Sequence, residues 1–395
     1  MALVTHMPVD RTPSRKRLRA GSRENGRVLT RTRVLVPYTR RLAAATAAGL
    51  AVALAGTSPV LAHGVVAAEP PTALSLALGW SFDPLVWLPA LAAIVAWRWA
   101  AGRVNAAHPR NPVPRGRSRA WYLGIAVLLV ALASGIEQYD TTLFSVHMVQ
   151  HMLLTLVAPP LLLAAGPITL LLRASGPATR QRWILPVLHA RVTRAVAFPV
   201  VAWLLFAVVM WASHFSALFN AALENELAHR FEHALFLGSA LLFWWPVVGP
   251  DPSPWRLGPA ARVMYVGLQM PQNTFLALAI YSATAPLYAH YATNARSWGP
   301  SPLEDQQTAG GIMWLGGDLL FLGAVALLVW AWMRHEDRRT VGEDRRLAGD
   351  REAIRAREVR LAARRAAERG DAGARSVADV AAVPDQPSGG TGAVR

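Results

Sequence analysis

Seven stretches of this chain are apolar for about twenty residues each, long enough at a rise of about 1.5 Å per residue to cross a lipid bilayer as helices. They lie at residues 83–101, 121–139, 143–163, 195–214, 231–249, 263–284 and 312–333. A chain with this pattern is predicted to be all-α, an integral membrane bundle of seven transmembrane helices, because only helices and closed barrels satisfy their backbone groups inside lipid. Composition agrees: 53% of the 395 residues are hydrophobic and 16% charged, yet the net charge is +16. A soluble domain would not combine these values, so the charges must be segregated from the apolar runs. Lys16 is the sole lysine, and the arginines flank apolar segments, which points to a membrane surface and lipid as partner and argues against nucleic acid.

An eighth apolar run, residues 42–62, is alanine-rich, follows Arg40 and Arg41, and ends in Val60-Leu61-Ala62, a small-x-small pattern like a signal-peptidase site. It reads as a signal peptide or, given the long charged stretch before it, as a retained anchor helix. Cleavage after Ala62 would make His63 the mature N-terminus, with an amino group and an imidazole able to chelate Cu(II). The expected organisation is an Arg-rich cytoplasmic extension at 1–41, the signal or anchor at 42–62, the seven-helix membrane domain at 80–333, and a charged, partly disordered cytoplasmic tail at 334–395. Alternating Glu, Asp and Arg from His335 to about Arg369 suit a solvated helix with i,i+4 ion pairs.

Arginine also sets orientation. The loop 98–119 carries Arg98, Arg103, Arg110, Arg115, Arg117 and Arg119, and the loop 173–194 carries Arg173, Arg180, Arg182, Arg191 and Arg194. Both are expected inside, with the loop 251–262 and the tail after Arg334. The alternate loops, 137–142, 213–230 and 285–311, are arginine-poor and are expected to face outward in a multi-pass cell-membrane protein.

The informative side chains are histidines. His147 and His151 are four apart at the start of the third run, and His229 and His233 are four apart at the start of the fifth, so each pair shares one helical face. With the orientation above, these four and His214 all fall near the outer face, along with His290 and the acidic pair Glu304 and Asp305. Intramembrane polar residues usually mark function, and Asp318, Gln272 and Asn273 carry the same signal more weakly, since they also fit as hydrogen-bonding partners between helices. The chain has no cysteine, so thiolate metal sites and disulfides are excluded. Met148 and Met152 interleave with His147 and His151, and thioether with imidazole suits copper, in particular Cu(I), although methionine is also a core filler. Haem held by two axial histidines is the rival reading.

Three blocks in order, HMVQHMLLTLVAPPLLLAAGP (147–167), HFSALFNAALENELAHRFEHALFLGSALLFWWPVVGPDP (214–252) and SPLEDQQTAGGIMWLGGDLLF (301–321), carry a resemblance. From Trp80 to Trp332 the chain resembles the polytopic CtaG family of cytochrome c oxidase assembly factors. The resemblance implies a seven-helix membrane protein needed to mature a haem-copper oxidase, with a cytochrome c oxidase subunit as partner and copper as cargo, acting by ligand exchange rather than as an enzyme. Carried over by motif, it points to His147, His151, His214, His229, His233 and Asp305. A copper transporter and a haem-binding membrane redox protein remain the alternatives.

Overall fold

A short helix, Ala73–Leu78 (α1), precedes a series of long rods, and each of the seven predicted runs is occupied by helix: Pro84–Ala107 (α2), Arg115–Ala133 (α3), Phe144–Met152 (α4) continuing to Ala165, Pro199–His214 (α5), Glu226–Trp244 (α7), the pair Pro259–Gly267 (α8) and Gln269–Tyr281 (α9), and Pro302–Gly311 (α10) continuing into Gly317–Glu368 (α11). The helix Ala217–Glu224 (α6) lies between α5 and α7. This computed structural model describes residues 69–368 except Ala295, together with Ala67. The run 42–62, His63 and the last residues of the tail lie outside the described residues. All described residues fall in one unit, Val60–Arg395, and every regular element among them is helical.

By length and apolarity alone, four described helices can cross a membrane: Pro84–Ala107, Arg115–Tyr139, Phe144–Ala174 and Pro302–Arg365. The pair α5 and α6, bent by 68°, is long and apolar enough only when taken together, as a broken span or a re-entrant loop. The remaining two predicted runs fall short for visible reasons. The first turns of α7 hold Glu226, His229, Arg230, Glu232 and His233, and the run 263–284 is divided at Leu268 into α8 and α9.

Helix starts follow ordinary capping chemistry. Asp83 accepts from the Leu85 N–H with Pro84 in the first turn, Asn225 accepts from Ala228, and Ser301 and Glu304 form a capping box before Pro302. The helix α4 is different: its N-cap is Leu143, which offers no side chain. The acceptor comes from α10 instead, where Asp305 takes the Phe144 N–H at 2.7 Å, the Ser145 N–H at 3.4 Å and the Ser145 hydroxyl at 2.6 Å.

Just after His151 the rod widens into a π-helical turn, Leu153–Val157, and a second one, Ile312–Gly316, separates α10 from α11. Pro159 has no N–H to give the Thr155 carbonyl, and the Trp244 indole donates there at 2.9 Å, so the break is satisfied by a neighbouring helix. The core between the rods is aromatic, with Phe144, Phe206, Phe219, Phe236, Phe243 and Phe321 fully buried. Gly310 lets α10 pass against α9, where a Cβ would stand 2.9 Å from the Tyr281 nitrogen. Many large apolar side chains, among them Leu123, Leu204, Val208, Phe275, Leu315 and Leu319, face outward, as a lipid-facing surface requires.

Contacts between loops agree with the alternation read from arginine. At one end Arg103 donates to the Ala174 carbonyl, Arg173 to that of Asn111, and Asp251 caps the helix Pro167–Ala174 through Ile168 and Thr169. At the other end Gln138 donates to the Gly79 carbonyl, Tyr288 to that of His214 and Asn294 to that of Thr141. The expected result of reporter fusions is an export signal after Asn220 and a cytoplasmic signal after Arg180; the reverse pair would overturn the orientation.

The predicted solvated helix after His335 is present, because α11 runs unbroken to Glu368 and carries an Arg339–Glu343 pair at i,i+4. The amides of the sixth run act between helices. Asn273 donates to the Met313 carbonyl and to Asp318, and Thr274 donates to Asp318, whereas the Gln269–Gln272 bond stays within α9.

Candidate metal centre

Each histidine pair reaches the bundle interior for the reason its spacing implies. In α4, His147 and His151 lie one turn apart, edge to face, with ring centroids 4.1 Å from each other, and His229 and His233 in α7 lie one turn apart, tilted, also at 4.1 Å. The two pairs face each other, with 5.5 Å between the rings of His147 and His229 and 6.1 Å between those of His151 and His233. His214, the last residue of α5, stands beside them at 6.1 Å from His151. All five are buried. The sequence placed the two pairs at helix starts near the surface; they are at helix starts, but all four are buried.

What excludes solvent is an aromatic shell and a roof of chain. Phe219 from α6 and Phe236 from α7 lie against His147, His151 and His214 at ring distances of 4.2 to 6.1 Å. Above them, Tyr291 donates to the Asp140 carbonyl at 2.6 Å, His290 bonds the Thr141 carbonyl at 2.9 Å, and Trp298 donates to Ala67.

Three carboxylates that sequence reasoning did not single out complete the site. Glu232, one turn after His229, is 0% exposed, and its Oε2 lies 3.9 Å from the Nε2 atoms of both His147 and His151. Asp140, on the connection between α3 and α4, places Oδ2 3.5 Å from His229 Nε2. Glu137, one turn before Asp140, groups with Asp140 and His233. A signal existed for all three. Glu232 falls on the His229–His233 face at i+3, and Glu137 and Asp140 share a face in a loop that lacks arginine.

The polar bookkeeping of the cluster is unusual. Both oxygens of Glu232, both ring nitrogens of His151, Nε2 of His214 and Oδ2 of Asp140 are buried without a hydrogen-bond partner. Buried polar atoms left so cost about 1–3 kcal/mol each, and nearly all such atoms in folded proteins find partners. Burial raises the Asp140 carboxyl well above the ordinary carboxylate range, and the nearby Glu137 pushes it the same way. A cation among these donors would supply what the protein does not. Tetrahedral donors held at about 2.0–2.1 Å from zinc sit about 3.3 Å apart, so the separations around Glu232 need only small inward shifts.

The surrounding hydrogen bonds orient donors in the manner of a metal site. His214 gives its Nδ1 hydrogen to the Met210 carbonyl at 2.7 Å, which aims Nε2 away from its own helix. Gln150, between the α4 histidines, donates to the Ala131 carbonyl and to Glu137, while its carbonyl oxygen lies 3.1 Å from His233 Nε2.

Three residues named from sequence are placed elsewhere. Met148 packs in the apolar core with Phe144, Phe219 and Phe236, rotated about 100° along the helix from His147. The end of Met152 abuts Gly316 of the last rod, where a glycine Cβ would lie 2.9 Å from its terminal methyl. Asp305 is buried and committed to capping α4. The donors that the fold gathers are therefore imidazole and carboxylate.

Comparison with known proteins adds the following. A family model described as cytochrome c oxidase caa3 assembly factor (Caa3_CtaG) matches residues 94–335. An uncharacterized protein of Mycobacterium tuberculosis (strain CDC 1551 / Oshkosh) is 32% identical over 289 residues, which is 71% of this chain and 43% of that protein. One from Mycobacterium leprae (strain TN) is 31% identical over 285 residues, 70% of this chain and 43% of its own length. The chain thus spans less than half the length of these relatives. No solved structure matches.

Proposed function

Because the chain belongs to the family of cytochrome c oxidase caa3 assembly factors, we propose that it holds copper in the His/carboxylate cluster and passes it to a subunit of a haem-copper oxidase on the outer side of the cell membrane. The observation that carries this reading is the convergence of five buried imidazoles with Glu137, Asp140 and Glu232, several of whose donor atoms have no partner in the protein. Copper here is cargo, exchanged between ligand sets without covalent chemistry. The bundle crosses the membrane seven times in this reading, with α7 and the α8–α9 pair sheltered by their neighbours, and the buried cluster sits at the outward end.

A transporter would need polar groups continuous through the bundle. Asn273, Thr274 and Asp318 are instead tied to one another between helices, which favours holding and handing over. Carboxylates beside the imidazoles likewise favour an ion over haem, whose two axial positions need none.

The test is complementation of a deletion strain. His147→Ala with His151→Ala should leave the protein in the membrane at normal amounts, while oxidase activity and oxidase copper content fall to the level of the deletion. Normal activity from the double variant sinks the reading.

A further inference from the structure

The donors of the cluster are too many for one ion. Three groups of side chains bring their ligand atoms within 4.8 Å of one another: Glu137 with Asp140 and His233, Asp140 with His147 and His229, and His147 with His151 and Glu232. The first and the last share no residue. Together the three groups contain seven side chains, more than the four protein donors of a tetrahedral zinc or tetragonal copper site. The middle group has only His229 of its own; it takes Asp140 from one neighbour and His147 from the other.

From this arrangement we infer that the cluster is a two-ion site for divalent, borderline metals such as Cu(II) or Zn(II), one ion at the Glu137/Asp140/His233 end and one at the His147/His151/Glu232 end. The inference rests on the metal-holding part of the proposed function and deepens it. The donor set is nitrogen and oxygen, which suits Cu(II) and Zn(II) better than Cu(I). Both ends contain buried atoms without a hydrogen-bond partner: Oδ2 of Asp140 at one, both Glu232 oxygens and both His151 nitrogens at the other. A lone acidic cluster would need nothing more than water, but these atoms are enclosed by Phe219, Phe236 and the short helix Ala289–Thr293 with its N-cap Tyr288. The middle group offers an ion a route between the ends in which each step keeps one ligand, Asp140 or His147, and exchanges the other two. His214, with Nε2 unpartnered beside His151, is positioned to take part at the Glu232 end.

The test is stoichiometry with the metal alone. Full-length protein, purified in detergent and stripped with chelator, is equilibrated with Zn(II), and bound metal is counted per chain. Two ions are expected for the wild type. The pair His151→Ala with Glu232→Gln should retain one ion, and the pair Glu137→Gln with His233→Ala should also retain one. One ion or none in the wild type overturns the inference, as does loss of all metal in both paired variants while each keeps its thermal transition. A measurement that needs no variant guards against misfolding: the Cu(II)-loaded wild type should show a half-field electron paramagnetic resonance signal from two nearby Cu(II) ions, and an isolated-Cu(II) spectrum rejects the two-ion site. These outcomes are separable from the oxidase reading, since two ions can bind a protein that complements nothing, and a complementing protein can bind one.

Discussion

Replacing Glu232 by Met is expected to make the metal-free protein more stable while weakening metal binding at least about 100-fold, the scale set by loss of even outer partners at metal sites. Glu232 is fully buried, and neither of its oxygens has a hydrogen-bond partner. The nearest partners, the His147 and His151 Nε2 atoms at 3.9 Å, are too far for a hydrogen bond, so the buried carboxyl costs free energy in either form that a methionine of similar volume does not. Even buried ion pairs, whose charges compensate each other, can be replaced by well-packed apolar residues of similar volume with a change from about zero to a gain of about 1–4 kcal/mol. Scanning fluorimetry without metal should therefore give a higher midpoint for Glu232→Met, and competition titration with Zn(II) should give a much weaker affinity. The exposed Glu224 on α6, changed in the same way, should move neither. A lower midpoint with unchanged affinity would show that Glu232 is a structural residue.

Asp305→Ala is expected to destabilise the protein by about 2–4 kcal/mol, because charge-assisted bonds to a buried helix start are lost together. The α4 helix has no cap of its own, and Asp305 receives two backbone N–H groups and one hydroxyl there, across 161 residues of sequence. Without it the first turn frays, and His147 sits in that turn. Asp305→Asn keeps one acceptor oxygen and should lose roughly half as much. The experiment distinguishes the two roles open to this residue. A cap lowers the midpoint of the metal-free protein and weakens metal binding as a consequence; a ligand lowers affinity alone. If Asp305→Ala melts with the wild type and still loses metal, the capping role is wrong.

The same contrast explains which parts of the molecule were legible in advance. Helical periodicity, long apolar runs and arginine placement are local or additive properties, so the rods and their alternation follow from the chain alone. The i,i+4 histidine pairs are local as well, since their shared face follows from 3.6 residues per turn. Met148 and Met152 were harder to place. A helix turns about 100° per residue, so a neighbour in sequence points to a different partner, and only the position of the last rod shows that Met152 meets Gly316.

By itself, then, the sequence determined the helices, the end of the bundle at which the histidines gather, and the absence of any thiolate chemistry. The tertiary structure alone decided that these histidines are enclosed, that Asp140 faces His229 and Glu232 faces His147 and His151 from other elements, and that Asp305 caps a helix instead of joining the cluster. The physical reason is that burial and ligand convergence depend on packing between segments distant in the chain. Aromatic side chains from α6 and α7 and the short helix Ala289–Thr293, with its N-cap Tyr288, close over donors from α4, and no periodicity within any one segment encodes that closure.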